Sequence, residues 1–450
     1  MLPTCTRFAL LIQSPQCTQS SMAEAAAMRA VLEAPGVKGL EVLRLPYDEA
    51  TTTNEKDAVT ALIRRIVVTA SDPPVTSAFS VLNLSKVAEL FSAWRRGLEG
   101  VPPYYAVKCN PNPALLGALA ALGAGFDCAS PAEMDAVLAL GVPADRIIYA
   151  NPCKPESHIQ HAASVGVDLT TFDSVEEVDK LRRFHPRCRL LLRLKVPDAA
   201  GGALLDLGTK YGARQEEVAP LLRAAQSAGL AVSGVAFHVG SAVSRVGVYD
   251  AAVEAARAVF DAAAATRGMP PMRVLDIGGG FTAAATFQDA CDVINSALAR
   301  HFGDDLLPGL QVIGEPGRYF AETPFTLAAR VFGKRTRGEV REYWIDDGLF
   351  GTLCCVHMEN YVPRPVPVLR RRAAGDDDDE GDESETHPST VFGPTLDSFD
   401  VVVKGYHLPE LRIGDWLVFH DVGAYTTALS CDFNGFSTSD MKTYLAFSSV

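Results

Sequence analysis

Short apolar runs alternate with longer alanine- and leucine-rich stretches through the middle of the chain. The short runs have the β-branched and aromatic composition of buried strands; in order they are "YYAVKC" at 104, "GFDCAS" at 125, "RIIYANP" at 146, "DLTTFDS" at 168, "RLLLRLK" at 189, "VSGVAFHVG" at 232, "RVLDIGGG" at 273 and "LQVIGEPG" at 310. The intervening stretches, such as "PALLGALAAL" and "SVEEVDKLRRF", have the composition of helices. Eight strand–helix units over roughly 240 residues predict an α/β fold with a (β/α)8 barrel of the TIM type, rather than a doubly wound sheet.

Beyond about residue 320 the pattern changes to strands separated by turn residues, as in "EYWIDDGLFG" and "GDWLVFHDVGAYT". This change predicts a second, mostly antiparallel β domain, to which "KGLEVLRLP" at 38–46 is expected to add a strand. The predicted divisions are a poorly ordered N-terminal segment 1–36, a strand contribution to the β domain 37–75, the barrel 76–320 and the C-terminal β domain 321–450.

The chain has 450 residues and a formal net charge of −13, but much of that charge is local. Eight acidic residues and no basic residue lie in 376–385, and without them 46 acidic residues stand against 41 basic ones. We expect this run to form a disordered, solvated loop at about 372–388. The acidic balance disfavours nucleic acid or an anionic membrane as a partner.

Cysteine usage and hydropathy indicate the compartment. None of the ten cysteines forms a CxxC pair, and several lie in strand-like runs, which favours reduced thiols in a cytosolic-type compartment. No apolar run approaches the roughly 18 residues of a membrane helix. Residues 1–21 are rich in Ser, Thr and Gln, and we interpret them as a dispensable leader of a cytoplasmic protein, with a transit peptide or a second start at Met22 as alternatives.

Lys108 lies at the end of the first predicted barrel strand, in "PYYAVKCN". One interpretation is that its stem covers apolar surface while its ammonium stays in water. The other is a Schiff-base lysine, whose amine lies in a desolvated pocket that lowers its pKa and lets it bond to a carbonyl.

Other polar residues also fall at strand ends, where the active sites of such barrels lie. They are His238 in "FHVGS", Gly278, Gly279 and Gly280 in "DIGGGF", and Glu315 and Arg318 in "GEPGRYF". Each has a structural alternative: a core histidine, a tight turn and a local salt bridge. Together with Lys108 they fit pyridoxal 5′-phosphate, with its aldehyde on the lysine, its ring beside the imidazole, its phosphate in the glycine turn and its pyridinium nitrogen on the carboxylate. Such a site favours carbanion chemistry at the α-carbon of an amino acid.

These motifs also carry a family resemblance that spans nearly the whole chain. It resembles the eukaryotic ornithine decarboxylases, pyridoxal-phosphate enzymes built on an alanine-racemase-like barrel. The motifs that carry it, in order, are "PPYYAVKCN", "GFDCAS", "YANPCK", "VAFHVGS", "LDIGGGF", "GEPGRYF", "DDGLFG", "GPTLDSFD", "GDWLVFHDVGAYT" and "FNGF".

The resemblance implies a role for individual residues. Lys108 is expected to be the Schiff-base lysine, His238 the residue against the ring and Glu315 the partner of the pyridinium nitrogen. The phosphate is expected to contact Ser241, Gly280, Arg318 and Tyr425, and the remaining cofactor-side residues are Asp127, Glu133 and Arg193. The substrate is expected to contact Asp347, Phe350, Asp397 and Phe436.

Asp347 and Asp397 are also the residue types that a diamino acid requires. A buried ammonium needs carboxylate partners, although Asp347 alone would be interpreted as a turn residue. By the resemblance, the enzyme is a homodimer in which the two aspartates come from opposite subunits.

Two positions depart from the family pattern. Leu396 stands where the family usually has a cysteine close to the substrate α-carbon, and Phe350 replaces a common tyrosine. Leucine cannot donate a proton, so we hypothesise that Leu396 slows or redirects protonation after loss of CO2.

The sequence therefore predicts decarboxylation of L-ornithine to putrescine. Lysine, one methylene longer, is a substrate alternative, because one methylene gives only about 1–3 kcal/mol of discrimination. A different amine- or aldehyde-forming activity is a second alternative. A third is a non-catalytic paralogue that regulates through a heterodimer or an inhibitor protein.

Overall fold

A computed structural model describes residues 15–46, 54–68, 74–196, 203–205, 209–303, 309–370 and 385–448. The strands are β1 Val42–Arg44, β2 Phe79–Asn83, β3 Tyr104–Ala106, β4 Gly125–Cys128, β5 Ile147–Tyr149, β6 Leu169–Phe172, β7 Arg189–Leu194, β8 Ala203–Leu205, β9 Ala231–Phe237, β10 Ser241–Val243, β11 Val274–Asp276, β12 Gln311–Ile313, β13 Phe325–Arg337, β14 Val340–Ile345, β15 Val366–Val368, β16 Thr386–Phe392, β17 Val401–Pro409, β18 Trp416–His420 and β19 Lys442–Phe447. The α-helices are α1 Pro15–Leu32, α2 Glu55–Val68, α3 Leu84–Gly97, α4 Pro113–Leu122, α5 Pro131–Ala139, α6 Glu156–Val165, α7 Val175–Phe184, α8 Gln215–Ser227, α9 Val248–Ala265, α10 Thr286–Phe302, α11 Arg318–Ala321 and α12 Cys355–Met358.

The eight predicted barrel strands form one parallel sheet in the order β12-β11-β9-β7-β6-β5-β4-β3. Its first and last strands meet, because Tyr104 N–H donates to the Gly314 carbonyl at 2.7 Å and Ala106 N–H donates to the Pro316 carbonyl at 3.2 Å. The predicted (β/α)8 barrel is confirmed.

Strand alternation divides the barrel core into two layers. The outward layer packs against the helices. A separate buried cluster takes one side chain from each of seven strands and fills the interior: Tyr104, Ile148, Leu169, Leu191, Ala236, Val274 and Ile313. The barrel is thus a packed body with an apolar floor beneath its carboxyl-terminal mouth.

The second domain is a mixed, mostly antiparallel sheet, as predicted, in the order β1-β19-β2-β13-β14-β16-β17, with β18 between β13 and β15. Its long strand β13 pairs with β2 and β18 along its first half and with β14 along its second. Strand β1 pairs with β19, and strand β2 pairs with both β13 and β19. Strand β2 lies in the range expected for the barrel but belongs to this sheet, and α3 begins directly after it.

The chain ends and the acidic loop differ in part from expectation. Helix α1 occupies residues 15–32 of the segment expected to be poorly ordered, and its buried Met28 and Val31 join the main hydrophobic core. Residues 1–14 and 371–384 lie outside the described residues, and with them all of the acidic run except Glu385. Strand β16 begins at Thr386, inside the range expected for the disordered loop.

Two further findings concern the described residues alone. Eight cysteines of the described part of the chain are free thiols, and six of these eight are buried. In the same part of the chain, no helix is both long and apolar enough to cross a membrane.

Candidate active site

Three inward-facing polar residues lie above the apolar floor of the barrel. On β7, Leu191 belongs to the interior cluster, so Arg193, two positions on, also faces inward. The same alternation turns Asp276 inward beyond Val274 on β11, and Asp127 inward between outward neighbours on β4. All three are at least 93% buried. Strand geometry therefore concentrates charge at the mouth of the barrel.

Lys108 extends from a 3₁₀ turn directly after β3, and its ammonium forms an ion pair with Asp127 Oδ2. Burial acts to lower the pKa of Lys108, but the carboxylates of Asp127 and Glu315 outweigh it and raise the pKa above its usual range. The expected lowering of this pKa was wrong, because the Lys108 side chain is 42% exposed and an amine that is paired with a carboxylate keeps its proton. The position of the amine, at the barrel mouth, is as expected.

Glu315 follows β12 and is 3% exposed. Burial raises its pKa well above the usual range, and the carboxylates of Asp276 and Asp127 raise it further. Burial also raises the pKa of Asp276 to about 6. Glu315 Oε1 and Asp276 Oδ2 are buried and have no hydrogen-bond partner in the described structure. The unpartnered oxygen of Glu315 is a hydrogen-bond acceptor in a dry site, and it suits the N–H of a protonated ring nitrogen.

His238 follows β9, and its Nδ1 accepts a hydrogen bond from Gly240 N–H at 3.0 Å. Burial lowers the pKa of His238 well below its usual range, and the positive charges of Arg193 and Lys108 lower it further. The imidazole is therefore neutral, and a neutral ring suits a neighbouring cationic ring better than an imidazolium would.

The turn of Gly278, Gly279 and Gly280 lies against His238 and leaves no room for side chains. A Cβ on Gly278 would lie 2.1 Å from the Phe237 carbonyl, and one on Gly279 would lie 2.8 Å from His238 Nε2. Gly278 and Gly280 also have φ of 65° and 104°, which glycine adopts readily. Gly278 N–H donates to Asp276 Oδ1 at 2.9 Å, so the N–H groups of Gly279 and Gly280 are the ones that suit an anion at this turn.

Ser241, Arg318 and Tyr425 surround this turn. Ser241 begins β10, and two residues later Val243 N–H donates to the Gly280 carbonyl at 3.0 Å. The guanidinium of Arg318 lies 5.4 Å from the centre of the Tyr425 ring. It also pairs with Glu322 at 2.8 Å and with Glu359, while its buried Nε has no hydrogen-bond partner in the described structure.

These residues fit pyridoxal phosphate on structural grounds. The phosphate suits the glycine turn beside Arg318, and the ring nitrogen suits the unpartnered oxygen of Glu315. The unpartnered Oδ1 of Asp127 lies beside the amine that would bond to the aldehyde. Glu133, whose Oε2 accepts from Ala129 N–H at 2.5 Å, closes the side of the site next to Asp127.

Three of the four predicted substrate residues border a separate cavity of about 360 Å³ in the β domain. Asp347 is 5% exposed, and its Oδ1 accepts from the N–H groups of Gly348 at 2.6 Å and Thr352 at 2.8 Å. Burial raises the pKa of Asp347 to about 6. Phe350 and Phe436 also line the cavity. A buried carboxylate beside aromatic rings suits an ammonium on an apolar stem.

Leu396 and Asp397 do not join either group of residues within the single chain. Leu396 is 91% exposed, and its N–H donates to Asn434 Oδ1 at 2.9 Å. Asp397 is also exposed, and its Oδ1 accepts from Phe399 N–H at 2.9 Å. The loop that carries them is ordered but presents both side chains outward.

Sequence reasoning missed the carboxylates behind the expected site residues. The sequence did contain a signal for Asp276, which is an acidic residue at a strand end in the motif "LDIGGGF". Glu322 and Glu359 gave no comparable signal: Glu322 lies one helical turn after Arg318, but Glu359 is 41 residues away from it in the chain.

Two family models match most of this chain. Residues 84–322 match the family model of the pyridoxal-dependent decarboxylase, pyridoxal binding domain, and residues 246–423 match that of the pyridoxal-dependent decarboxylase, C-terminal sheet domain. The chloroplastic ornithine decarboxylase of Nicotiana glutinosa is 52% identical over 371 residues, which are 82% of this chain and 84% of that protein.

Two further relatives cover still more of the chain. The ornithine decarboxylase of Saccharomyces cerevisiae is 39% identical over 91% of this chain and 90% of that protein. The crystal structure of the Paramecium bursaria Chlorella virus arginine decarboxylase superposes with a TM-score of 0.78 at 35% identity, covering 86% of this chain and 99% of that one. The two family models and these relatives show that the chain belongs to the pyridoxal-dependent decarboxylases, in the family of the eukaryotic ornithine decarboxylases.

Proposed function

We propose that this chain catalyses the decarboxylation of L-ornithine to putrescine and CO2. The choice of ornithine as the substrate rests on the buried carboxylate of Asp347, which lies in a cavity that Phe350 and Phe436 also line. A neutral amino acid would leave this carboxylate unpaired, whereas the side-chain ammonium of ornithine neutralises it. The ornithine decarboxylases that this chain resembles support the assignment.

Pyridoxal phosphate supplies a cationic, conjugated ring that accepts the electron pair released when CO2 leaves. Lys108 would hold the cofactor covalently, and Asp127 would accept and return the proton at Lys108 Nζ. Glu315, with Asp276 behind it, would keep a proton on the ring nitrogen. The neutral imidazole of His238 would hold the ring face and exclude water from it.

The phosphate would lie on the N–H groups of Gly279 and Gly280, beside Ser241, Arg318 and Tyr425. Arg193 would add positive charge between the two acidic groups at the mouth, which limits the repulsion among Asp127, Asp276 and Glu315. Each of these assignments is a proposal that rests on the geometry described above and on the resemblance.

The exposed loop of Leu396 and Asp397 supports a homodimer with shared active sites. An aspartate that binds substrate has no access to its own barrel when it faces away from the chain. We therefore propose that the loop enters the site of a second copy, where Asp397 meets the substrate amine opposite the Asp347 of that copy.

Two finer assignments remain proposals. We place the enzyme in the cytoplasm, although the Nicotiana relative is named as chloroplastic; fractionation of cells that express the full chain with a C-terminal tag tests this. An inhibitory regulator protein stays a prediction from the resemblance, to be tested by affinity capture in the presence and absence of putrescine.

The function is tested by incubating the purified chain with pyridoxal phosphate and L-ornithine and identifying products by mass spectrometry. We expect putrescine at many turnovers, and none from the Lys108→Ala variant. L-lysine is run in parallel, and faster formation of cadaverine would replace ornithine by lysine as the substrate. Bound cofactor with no amine product would support the regulatory paralogue instead.

A further inference from the structure

Hydrogen bonds from three elements hold the backbone of the glycine turn, residues 278–280. Its two outer carbonyls accept from backbone groups, namely Glu315 N–H at 2.6 Å and Val243 N–H at 3.0 Å. The middle carbonyl, that of Gly279, accepts instead from the side-chain hydroxyl of Tyr249 at 3.0 Å. Tyr249 lies in the first turn of α9. Of these three donors it is the only side chain, and so the only one that a substitution removes without altering the backbone.

The surroundings of Tyr249 fix both its ring and its hydroxyl. The residue is 1% exposed, and its ring stacks on that of Phe281 with 5.2 Å between the ring centres and 18° between the planes. Burial raises the pKa of Tyr249 well above its usual range, so the hydroxyl keeps its proton. A Cβ on Gly280 would lie 2.9 Å from the hydroxyl oxygen. The turn therefore packs directly against this group.

One peptide bond links the hydroxyl to the phosphate site. The Gly279 carbonyl and the Gly280 N–H belong to the same planar, trans peptide, so they point in opposite directions. Because Tyr249 holds the carbonyl on the side of α9, the N–H is directed to the other side, and it is one of the two that suit an anion at this turn. Without the hydroxyl, the buried carbonyl lacks its donor, and the two glycines let the peptide rotate at low cost.

We propose that Tyr249 is a positioning residue, which holds the Gly280 N–H in the direction that binds the phosphate of the cofactor. The inference rests on the proposed function, because it takes the glycine turn as the phosphate site. It predicts a selective defect. Loss of the hydroxyl should weaken binding of pyridoxal phosphate but not of 5′-deoxypyridoxal, which has the same ring and aldehyde and no phosphate.

The test measures the Kd of both compounds for the cofactor-free chain and for Tyr249→Phe, by titration of the absorption of the bound aldehyde. Phenylalanine keeps the ring against Phe281 and removes one oxygen atom, which leaves the Gly279 carbonyl without its donor. We expect the Kd for pyridoxal phosphate to rise about fivefold or more, and the Kd for 5′-deoxypyridoxal to change by less than about twofold.

Tyr343→Phe is the matched control. Tyr343 is buried in the separate core of the sheet domain, where its hydroxyl accepts from Leu411 N–H at 3.0 Å. The control thus loses the same atom and one hydrogen bond to the backbone, but not at the glycine turn. Its melting temperature should fall by an amount similar to that of Tyr249→Phe, while both Kd values should stay unchanged.

An equal rise of both Kd values in Tyr249→Phe, a rise of neither, or a comparable rise for pyridoxal phosphate in Tyr343→Phe would overturn the inference. If Tyr249→Phe folds only with cofactor bound, the release rates of the two compounds replace the Kd values, and an unchanged ratio of these rates again overturns it. The unaltered chain is measured first. If that chain binds pyridoxal phosphate no more tightly than 5′-deoxypyridoxal, the assignment of the phosphate site fails and the inference with it, which is distinct from a failure at Tyr249 alone.

Discussion

Buried carboxylates govern the chemistry of single residues at the mouth of the barrel. Asp127, Asp276 and Glu315 are each at most 3% exposed, and they share the positive charges of Lys108 and Arg193. A carboxylate in a dry site keeps its charge only when a cation is close. The charge of each group therefore depends on its neighbours, and a single substitution changes the pKa of several groups.

Asp347 carries a prediction about pH. Burial raises its pKa to about 6, so the free enzyme gains a proton there as the pH falls through about 6, and the negative charge that binds the ammonium is lost. We expect kcat/KM for ornithine to fall below that pH. In Asp347→Asn, kcat/KM at pH 8 should be lower by about 100-fold or more, and the acidic limb should flatten.

The control for this pH profile is a stability scan of both proteins over the same range, because acid unfolding would give a similar limb. An acidic limb of equal shape in Asp347→Asn, with both proteins folded, would assign it to another group.

Leu396 carries a prediction about the product. Its side chain can neither donate a proton nor hold a polar water, and it lies next to Asp397 on the loop proposed to enter the partner's site. We expect Leu396→Cys to raise the ratio of putrescine to 4-aminobutanal formed per turnover, measured by mass spectrometry. Leu396→Ala changes size without adding a proton donor, and an equal gain in that variant would attribute the effect to space alone.

At the scale of elements, the segments that follow the barrel strands hold the residues of the site, and the strands fix the distances between these segments. The segment after β9 and the glycine turn after β11 are held together by hydrogen bonds such as Val243 N–H to the Gly280 carbonyl at 3.0 Å. The turn is also tied to β12, since Glu315 N–H donates to the Gly278 carbonyl at 2.6 Å. A shift of the turn therefore moves both the phosphate site and Glu315.

Gly279→Ala tests this coupling. The new Cβ would lie 2.7 Å from the Glu315 carbonyl oxygen and 2.8 Å from His238 Nε2, and the backbone oxygen cannot move without β12. We expect the affinity for pyridoxal phosphate, measured by fluorescence titration, to fall about tenfold or more, with the barrel still folded by circular dichroism.

Gly247→Ala is the control for Gly279→Ala, because a Cβ there meets no atom within 4 Å and its φ is −59°. Equal affinity of Gly279→Ala and the unaltered chain would show that the turn has more freedom than its contacts indicate.

At the scale of the whole molecule, the barrel and the sheet domain both contribute to one site. Arg318 at the barrel mouth pairs with Glu359 of the sheet domain, and Tyr425 N–H of that domain donates to the Cys109 carbonyl, beside Lys108, at 3.0 Å. The sheet domain therefore helps to fix the phosphate end of the cofactor site. The loop with Asp397 extends this sharing to a second copy.

Mixing two inactive variants tests the shared sites. Lys108→Ala removes the amine from one barrel, and Asp397→Ala removes the carboxylate that is donated to the other. If chains exchange randomly, half of the dimers are mixed and each mixed dimer has one complete site, so kcat/KM should recover to about a quarter of the unaltered value. Recovery no greater than the sum of the separate variants would place Lys108 and Asp397 in the same subunit's site.

Several features of this protein could be predicted from sequence because they depend on local pattern. All eight barrel strands follow from short apolar runs, and the placement of Lys108, His238 and Glu315 at the mouth follows from their positions at strand ends. The glycine turn was visible for the same reason, since three consecutive glycines between a strand and a helix are a local signal.

Contacts between distant segments decided the rest. The pKa of Lys108 depends on Asp127 of the next strand, and β2 belongs to the second sheet because its partners, β13 and β19, lie far along the chain. Alternation of side chains along a strand can be deduced from sequence, but which carboxylates meet across a barrel cannot. Sequence by itself determined the fold class and the residue types of the site; the tertiary structure decided their charges and their partners, because burial and Coulomb interactions depend on distance in space and not along the chain.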